Sequence, residues 1–119
     1  MNNYFNLLGF VPYKHVVSLL FHSNILINPS LFEGWSTTVE EGKILDKKMI
    51  LSNLNVHKEQ APMKATFFNP NNAEDLAKKI IKLHNIKDNN LKISTLKKKY
   101  KKDRTYFANQ FLTIVENSL

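Results

Sequence analysis

Short apolar runs alternate with amphipathic stretches along the first two-thirds of the chain. Phe5-Asn6-Leu7-Leu8 predicts a short strand that stops at Gly9. After Pro12, residues 14–22 predict a helix with Val16, Val17, Leu19 and Leu20 on its apolar side. Ile25-Leu26-Ile27 is a continuous apolar run bounded by Asn24 and Asn28-Pro29, the signature of a strand buried on both faces. Residues 37–46 predict the next helix. Met49-Ile50-Leu51 predicts another buried strand, closed by Ser52-Asn53, and residues 56–60 a short helical turn ended by Pro62. Ala65-Thr66-Phe67-Phe68 predicts a further strand, stopped by Asn69-Pro70. Asn72 is placed to cap a helix from Ala73 to about His84, lined by Leu76, Ile80, Ile81 and Leu83. A polar linker over residues 85–90 leads to two more helices, at about 91–101 and 104–117. The last carries Tyr106, Phe107, Phe111, Ile114 and Val115 on one side.

Strands that are short, apolar and non-alternating, each followed by a helix, define the α/β class with a parallel, Rossmann-like sheet of the doubly wound kind. A length of 119 residues fits one domain, and 43% hydrophobic residues supply a modest core. There is no cysteine, which fits a reducing compartment and removes thiol metal sites. Met1 to Tyr4 carry no basic and apolar leader pattern, and no apolar run reaches the roughly 20 residues a membrane helix needs. The expectation is a cytoplasmic location, peripheral to the inner face of the membrane at most.

The net charge of +7 is concentrated in residues 78–104, densest at Lys97-Lys98-Lys99 and Lys101-Lys102. A solvated helix face is the first reading, contact with an anionic membrane surface the second. Nucleic acid ranks last, because no stacking platform or reading motif accompanies the charge.

The chemistry concentrates at residues 30–41, Ser-Leu-Phe-Glu-Gly-Trp-Ser-Thr-Thr-Val-Glu-Glu. A strand, a tight turn and a helix start follow one another here. Thr37 with Glu40, or Thr38 with Glu41, has the spacing of a capping box. The unpaired N–H groups of that first turn suit a diphosphate. Gly34 admits a ligand close to the backbone. Side chains tilt toward a helix N-terminus, so Glu41 leans back over the first turn while Glu33 stands just ahead of it. The two acids then flank one ligand and accept from its hydroxyls. The plainer alternative is that Glu40 and Glu41 are helix-start acids and Glu33 is solvated.

Glu33 and Glu41 also match the two acids of the E-x7-E motif, and the chain here resembles the family 4 (group 1) retaining glycosyltransferases of the GT-B fold. The resemblance extends through Leu8-Gly9-Phe10-Val11 and Ser23 to Ser30, through Lys47 to Gln60, and through Phe68 to Ala77. It covers residues 5–84. It implies that Glu33 contacts sugar hydroxyls and Glu41 the ribose. Gly34, Trp35, Ser36, Thr37 and Thr38 complete the donor-binding turn. The implied substrate is a nucleotide-diphosphate sugar, with no metal and no other cofactor. Ser36 stands where many members have a second glycine, and Thr38 where many have proline. This version resembles a polysaccharide-building branch, which implies a cell-surface polysaccharide or glycolipid acceptor.

Family members carry an N-terminal acceptor domain, and an Arg and a Lys early in the donor domain that neutralise the leaving diphosphate. The chain resembles only the C-terminal part of such a donor domain. Residues 1–84 are therefore expected to form a partial nucleotide-sugar-binding domain, with 85–119 as helices packing on it. The chain is expected to need an acceptor domain or partner chain, and not to be active alone. In the order 3-2-1-4-5-6 its four strands would be 3, 4, 5 and 6, which leaves residues 5–8 without a neighbour unless they pair directly against Ile25–Ile27 or a partner supplies the gap. The alternatives are a non-catalytic fragment or subunit and a basic interaction module. The histidines at 15, 22, 57 and 84 have no metal-ligand spacing. His57 reads as structural or near the site. Trp35 lines the sugar pocket or anchors the turn. Ser18, Ser23 and Ser30 lack a nucleophile-elbow context, and three glycines form no dinucleotide fingerprint.

Overall fold

The computed structural model describes residues 4–60, 62–87, 91–99 and 106–119. The chain runs α1 (Tyr13–His22), β1 (Leu26–Asn28), α2 (Thr37–Ile44), β2 (Met49–Ser52), α3 (Asn55–Glu59), β3 (Ala65–Phe68), α4 (Ala73–His84), α5 (Ile93–Lys99) and α6 (Tyr106–Asn117). The strands form one parallel sheet in the order β1-β2-β3. Its register pairs Ile27 with Ile50 and Ile50 with Thr66. This is the α/β architecture that the alternating pattern predicts, with each element within two or three residues of its expected place.

The expected strand at residues 5–8 is not formed. Residues 5–9 run as coil, and Phe5, Leu7 and Leu8 are exposed. A strand exists by pairing, and β1 has only β2 as a neighbour among the described residues. Leu26 N–H donates to Lys48 O on the β2 side (3.0 Å). Ile27, the next residue, turns its backbone groups to the open edge.

Two adjacent lysines tie the helices to opposite faces of the sheet. Lys47 and Lys48 point opposite ways just ahead of β2, as successive residues in extended chain do. Lys47 is buried and donates through Nζ to Phe21 O and to Ser23 O (2.8 Å), at the end of α1. Lys48 Nζ donates to Ile86 O (2.6 Å), past the end of α4. Both place a cation where a helix has free carbonyls and a partial negative charge. α2 ends in a Schellman arrangement, with Lys47 N–H on Gly42 O (2.9 Å) and Asp46 N–H on Lys43 O (3.1 Å). Asp46 takes the left-handed backbone this requires (φ 55°).

Most of the core lies on the helical side. Val17 and Leu20 of α1, Ile44 and Leu45 at the end of α2, Leu96 of α5, and Phe111, Leu112 and Val115 of α6 form one cluster. A smaller one joins Val39 of α2 to Met49 and Leu51 of β2. The apolar side expected for α1 is only half used, since Val16 and Leu19 stay exposed beside the β1 edge. Asn72 caps α4 as expected, accepting from Asp75 N–H (3.0 Å). Ile81, expected on its packing side, is exposed. Tyr106 and Phe107 side chains, residues 100–105 and most of the linker's polar end lie outside the described residues. Among the described residues no helix is long and apolar enough to cross a membrane.

Phe111 is 2% exposed at the centre of the larger cluster. Phe111→Ala is expected to cost roughly 3–5 kcal/mol, a large share of a typical ~5–15 kcal/mol total. Urea unfolding checks this, and a change under 1 kcal/mol would mean that α6 is not part of the core.

Candidate active site

The carboxyl ends of the strands are where ligands bind in open α/β sheets. Here those ends carry polar residues that an apolar run would not require. Asn28 closes β1, Ser52 closes β2, and both are buried. Ser52 Oγ donates to Asn28 O (3.3 Å), which ties the two strand ends together.

Asn28 organises the loop that follows. Its Oδ1 accepts from Ser30 Oγ (2.7 Å) and Ser30 N–H (3.3 Å), an Asx-type turn around Pro29. Its Nδ2 lies 3.1 Å from Glu33 Oε2, 3.4 Å from Glu33 Oε1 and 3.2 Å from Ser36 Oγ. Glu33 meets a second partner in His57, whose Nε2 is 2.6 Å from Glu33 Oε2. His57 is buried, and its Nδ1 lies 2.8 Å from Ser52 O. A carbonyl oxygen only accepts, so Nδ1 carries a hydrogen. Glu33 is thus held, and the solvated alternative does not describe it.

The helix starts at Thr37 as expected, but its cap departs from expectation. The N-cap of α2 is Ser36, with extended backbone and Oγ accepting from Val39 N–H (3.3 Å). Neither Thr37 with Glu40 nor Thr38 with Glu41 forms the box. The reason is Gln60, buried at the end of α3. Its Oε1 accepts from Ser36 N–H (3.3 Å), the role a capping-box glutamate would play. Its Nε2 donates to Ser36 O (2.9 Å) and to Glu40 Oε1 (2.8 Å). Glu40 also pairs with Lys43 (3.2 Å). Among the described residues the N–H groups of Thr37 and Thr38 have no acceptor, as the first positions of a helix lack one within it. Gly34, Trp35 and Thr37 are exposed over this helix start, and Thr38 is half-buried.

Glu41 lies on the other side of α2 from Gln60, 7% exposed. Its Oε1 accepts from the Tyr13 hydroxyl (2.6 Å) at the start of α1. With Thr38 it borders an open groove of about 270 Å³ between α1 and the free edge of β1, walled by Val16, Leu19 and Ile27. The sequence-predicted residues therefore surround one helix start, with Glu33 on the α3 side and Glu41 on the α1 side. Each of the three acids already has a donor, which reduces the electrostatic objection to an anion there.

Sequence reasoning did not single out Asn28, Gln60 or Tyr13, and it gave His57 no partner. Two signals were present. Asn28 ends a strand with a polar side chain on a buried face. His57 and Gln60 are three apart and share one helical side.

Burial first, and the Glu41 carboxylate second, push the Tyr13 hydroxyl above the ordinary tyrosine range. The folded chain favours the neutral phenol. Its contribution to stability is full below the unfolded value of about 10 and is lost as pH rises through the folded value. Urea unfolding of wild type and Tyr13→Phe should therefore show a gap that narrows above pH ~10; a constant gap would contradict this. Ser36→Ala removes the cap of α2 and should cost about 1 kcal/mol or more at neutral pH.

The family described as glycosyl transferases group 1 matches residues 1–102, which include every residue of this site. No curated protein and no solved structure matches the chain. A parallel α/β sheet, with the acids gathered at its carboxyl end, accords with that match. The chain belongs to the group 1 glycosyl transferases.

Proposed function

We propose that the chain is the donor-binding part of a retaining, metal-independent sugar transferase of the GT-B type, holding a nucleotide-diphosphate sugar at the start of α2. The observation that carries this reading is the α2 start itself, with two N–H groups lacking an acceptor between two acids already held by Tyr13 and His57. A diphosphate accepts from the N–H groups of Thr37 and Thr38 and is favoured by the helix dipole. The ribose hydroxyls donate to Glu41, with the nucleoside along the apolar wall of the adjoining groove. The sugar hydroxyls donate to Glu33, with Gly34, Trp35 and Ser36 shaping the turn around them. Stabilisation of the leaving diphosphate is electrostatic, and the α2 start contributes a part of it. The acceptor is a growing cell-surface polysaccharide or glycolipid, met at the cytoplasmic face of the membrane.

The donor-binding part acts together with an acceptor-binding part, in the same or another polypeptide. The open edge of β1, with Ile27, Val16 and Leu19 exposed along it, supports this. Parallel sheets are normally covered on both faces and rarely left with an apolar edge. The purified chain is accordingly expected to give no transfer or hydrolysis of UDP-, GDP- or dTDP-hexoses. Turnover by a compact monomer would contradict it. The lysines from Lys92 onward are proposed as a contact for anionic lipid, although Lys97 is already paired with Glu116.

Glu41→Gln is expected to weaken binding of nucleoside diphosphates by about 5- to 150-fold, the loss of one charged acceptor at roughly 1–3 kcal/mol. Calorimetric titration of UDP, GDP and dTDP tests it. Equal affinities for wild type and variant would remove Glu41 from the site.

A further inference from the structure

We propose that His57 is a positioning residue for the donor sugar, acting through Glu33; this rests on the donor-site reading above. Glu33 sits on an exposed loop between Phe32 and Gly34, where a lone glutamate would sample many rotamers. It is held from two elements instead. His57, on α3, has no exposed surface, and the Glu33 side chain retains 25% of its own. Ser52 O, at the end of β2, faces Nδ1 at 2.8 Å and fixes the ring plane. That leaves Nε2 aimed at Glu33 Oε2 at 2.6 Å.

Both ring nitrogens thus face oxygen. Nδ1 must donate to the carbonyl, and Nε2 faces Glu33 Oε2 within hydrogen-bond distance. Asn28 Nδ2 reaches the same Oε2 at 3.1 Å and the other oxygen at only 3.4 Å. Oε2 takes the shorter contact from each protein donor, and Oε1, met only by Asn28 at 3.4 Å, has a further lone pair for a ligand hydroxyl. The Ser52 carbonyl accounts for one nitrogen of the buried ring, and Glu33 is the partner of the other. What the second contact adds is a carboxylate oriented before the sugar arrives, which removes an ordering cost from binding.

Two substitutions separate the ring's two contacts. The amide of Asn reaches the place of Nδ1 and keeps the bond to Ser52 O. The amide of Gln reaches the place of Nε2 and keeps the donor to Glu33. The full chain is titrated with UDP-, GDP- and dTDP-hexoses and with the matching nucleoside diphosphates. For the nucleotide that wild type binds, His57→Asn should weaken the hexose form about tenfold and leave the diphosphate within about twofold. His57→Gln should restore most of the loss, and Glu33→Gln should match His57→Asn with no further loss in the double variant. Equal weakening of both ligands, or no difference between the Asn and Gln variants, would overturn the proposal. A cycle of His57→Asn and Glu33→Gln followed by urea unfolding needs no ligand. Coupling of about tenfold in the unfolding constant is expected, and additivity would overturn the contact itself. If wild type binds no nucleotide, the donor-site reading fails while this cycle still decides whether His57 holds Glu33.

Discussion

Every polar side chain brought into the carboxyl end of this sheet must find a partner, because an unpaired buried group costs about as much as several good contacts return. That constraint shapes the site. Asn28, Ser36, Ser52, His57 and Gln60 are all buried, and each is hydrogen-bonded to another member of the group or to the backbone between them. Their mutual satisfaction sets the path of the loop from β1 to α2, the first turn of α2 and the direction of Glu33. No buried side-chain nitrogen or oxygen among the described residues is left without a partner. A network completed in this way is rigid, and rigidity at the start of a helix is what a fixed anion site needs.

The fold was readable because its signals are local. Apolar runs such as Met49 to Leu51 admit no exposed face, and Asn72 marks the start of α4 by chemistry alone. The strand expected at residues 5–8 failed for a non-local reason. Phe5, Leu7 and Leu8 have strand character, but a strand needs an edge to join, and sequence does not announce which edges exist. The capping frame at α2 failed similarly. Thr37 and Glu40 have the spacing, yet Gln60, more than twenty residues on, occupies the Ser36 N–H and draws Glu40 away. The acids of the site were found by their spacing, while their partners Tyr13, Asn28 and His57 come from other elements and follow only from the fold.

The lysines show the same division. A charge run reads as a solvated face, and Lys98 and Lys99 conform to that by lying exposed on α5, while Lys97 is half-buried and paired with Glu116. Lys47 and Lys48 do not. They are buried and end two helices on opposite sides of the sheet, so part of the net positive charge is structural. Removing either would leave helix carbonyls without a donor and a gap beside β2.

The central claim is that a nucleotide sugar sits across the α2 start, between Glu33 and Glu41. Amide chemical-shift mapping of the full chain, titrated with UDP-, GDP- and dTDP-hexoses, tests it most directly. The account predicts saturable shifts centred on Gly34 to Glu41, strongest at the Thr37 and Thr38 amides, extending to Tyr13 and His57. Shifts confined to the lysines of α5, or none for any of the three nucleotides, would contradict it.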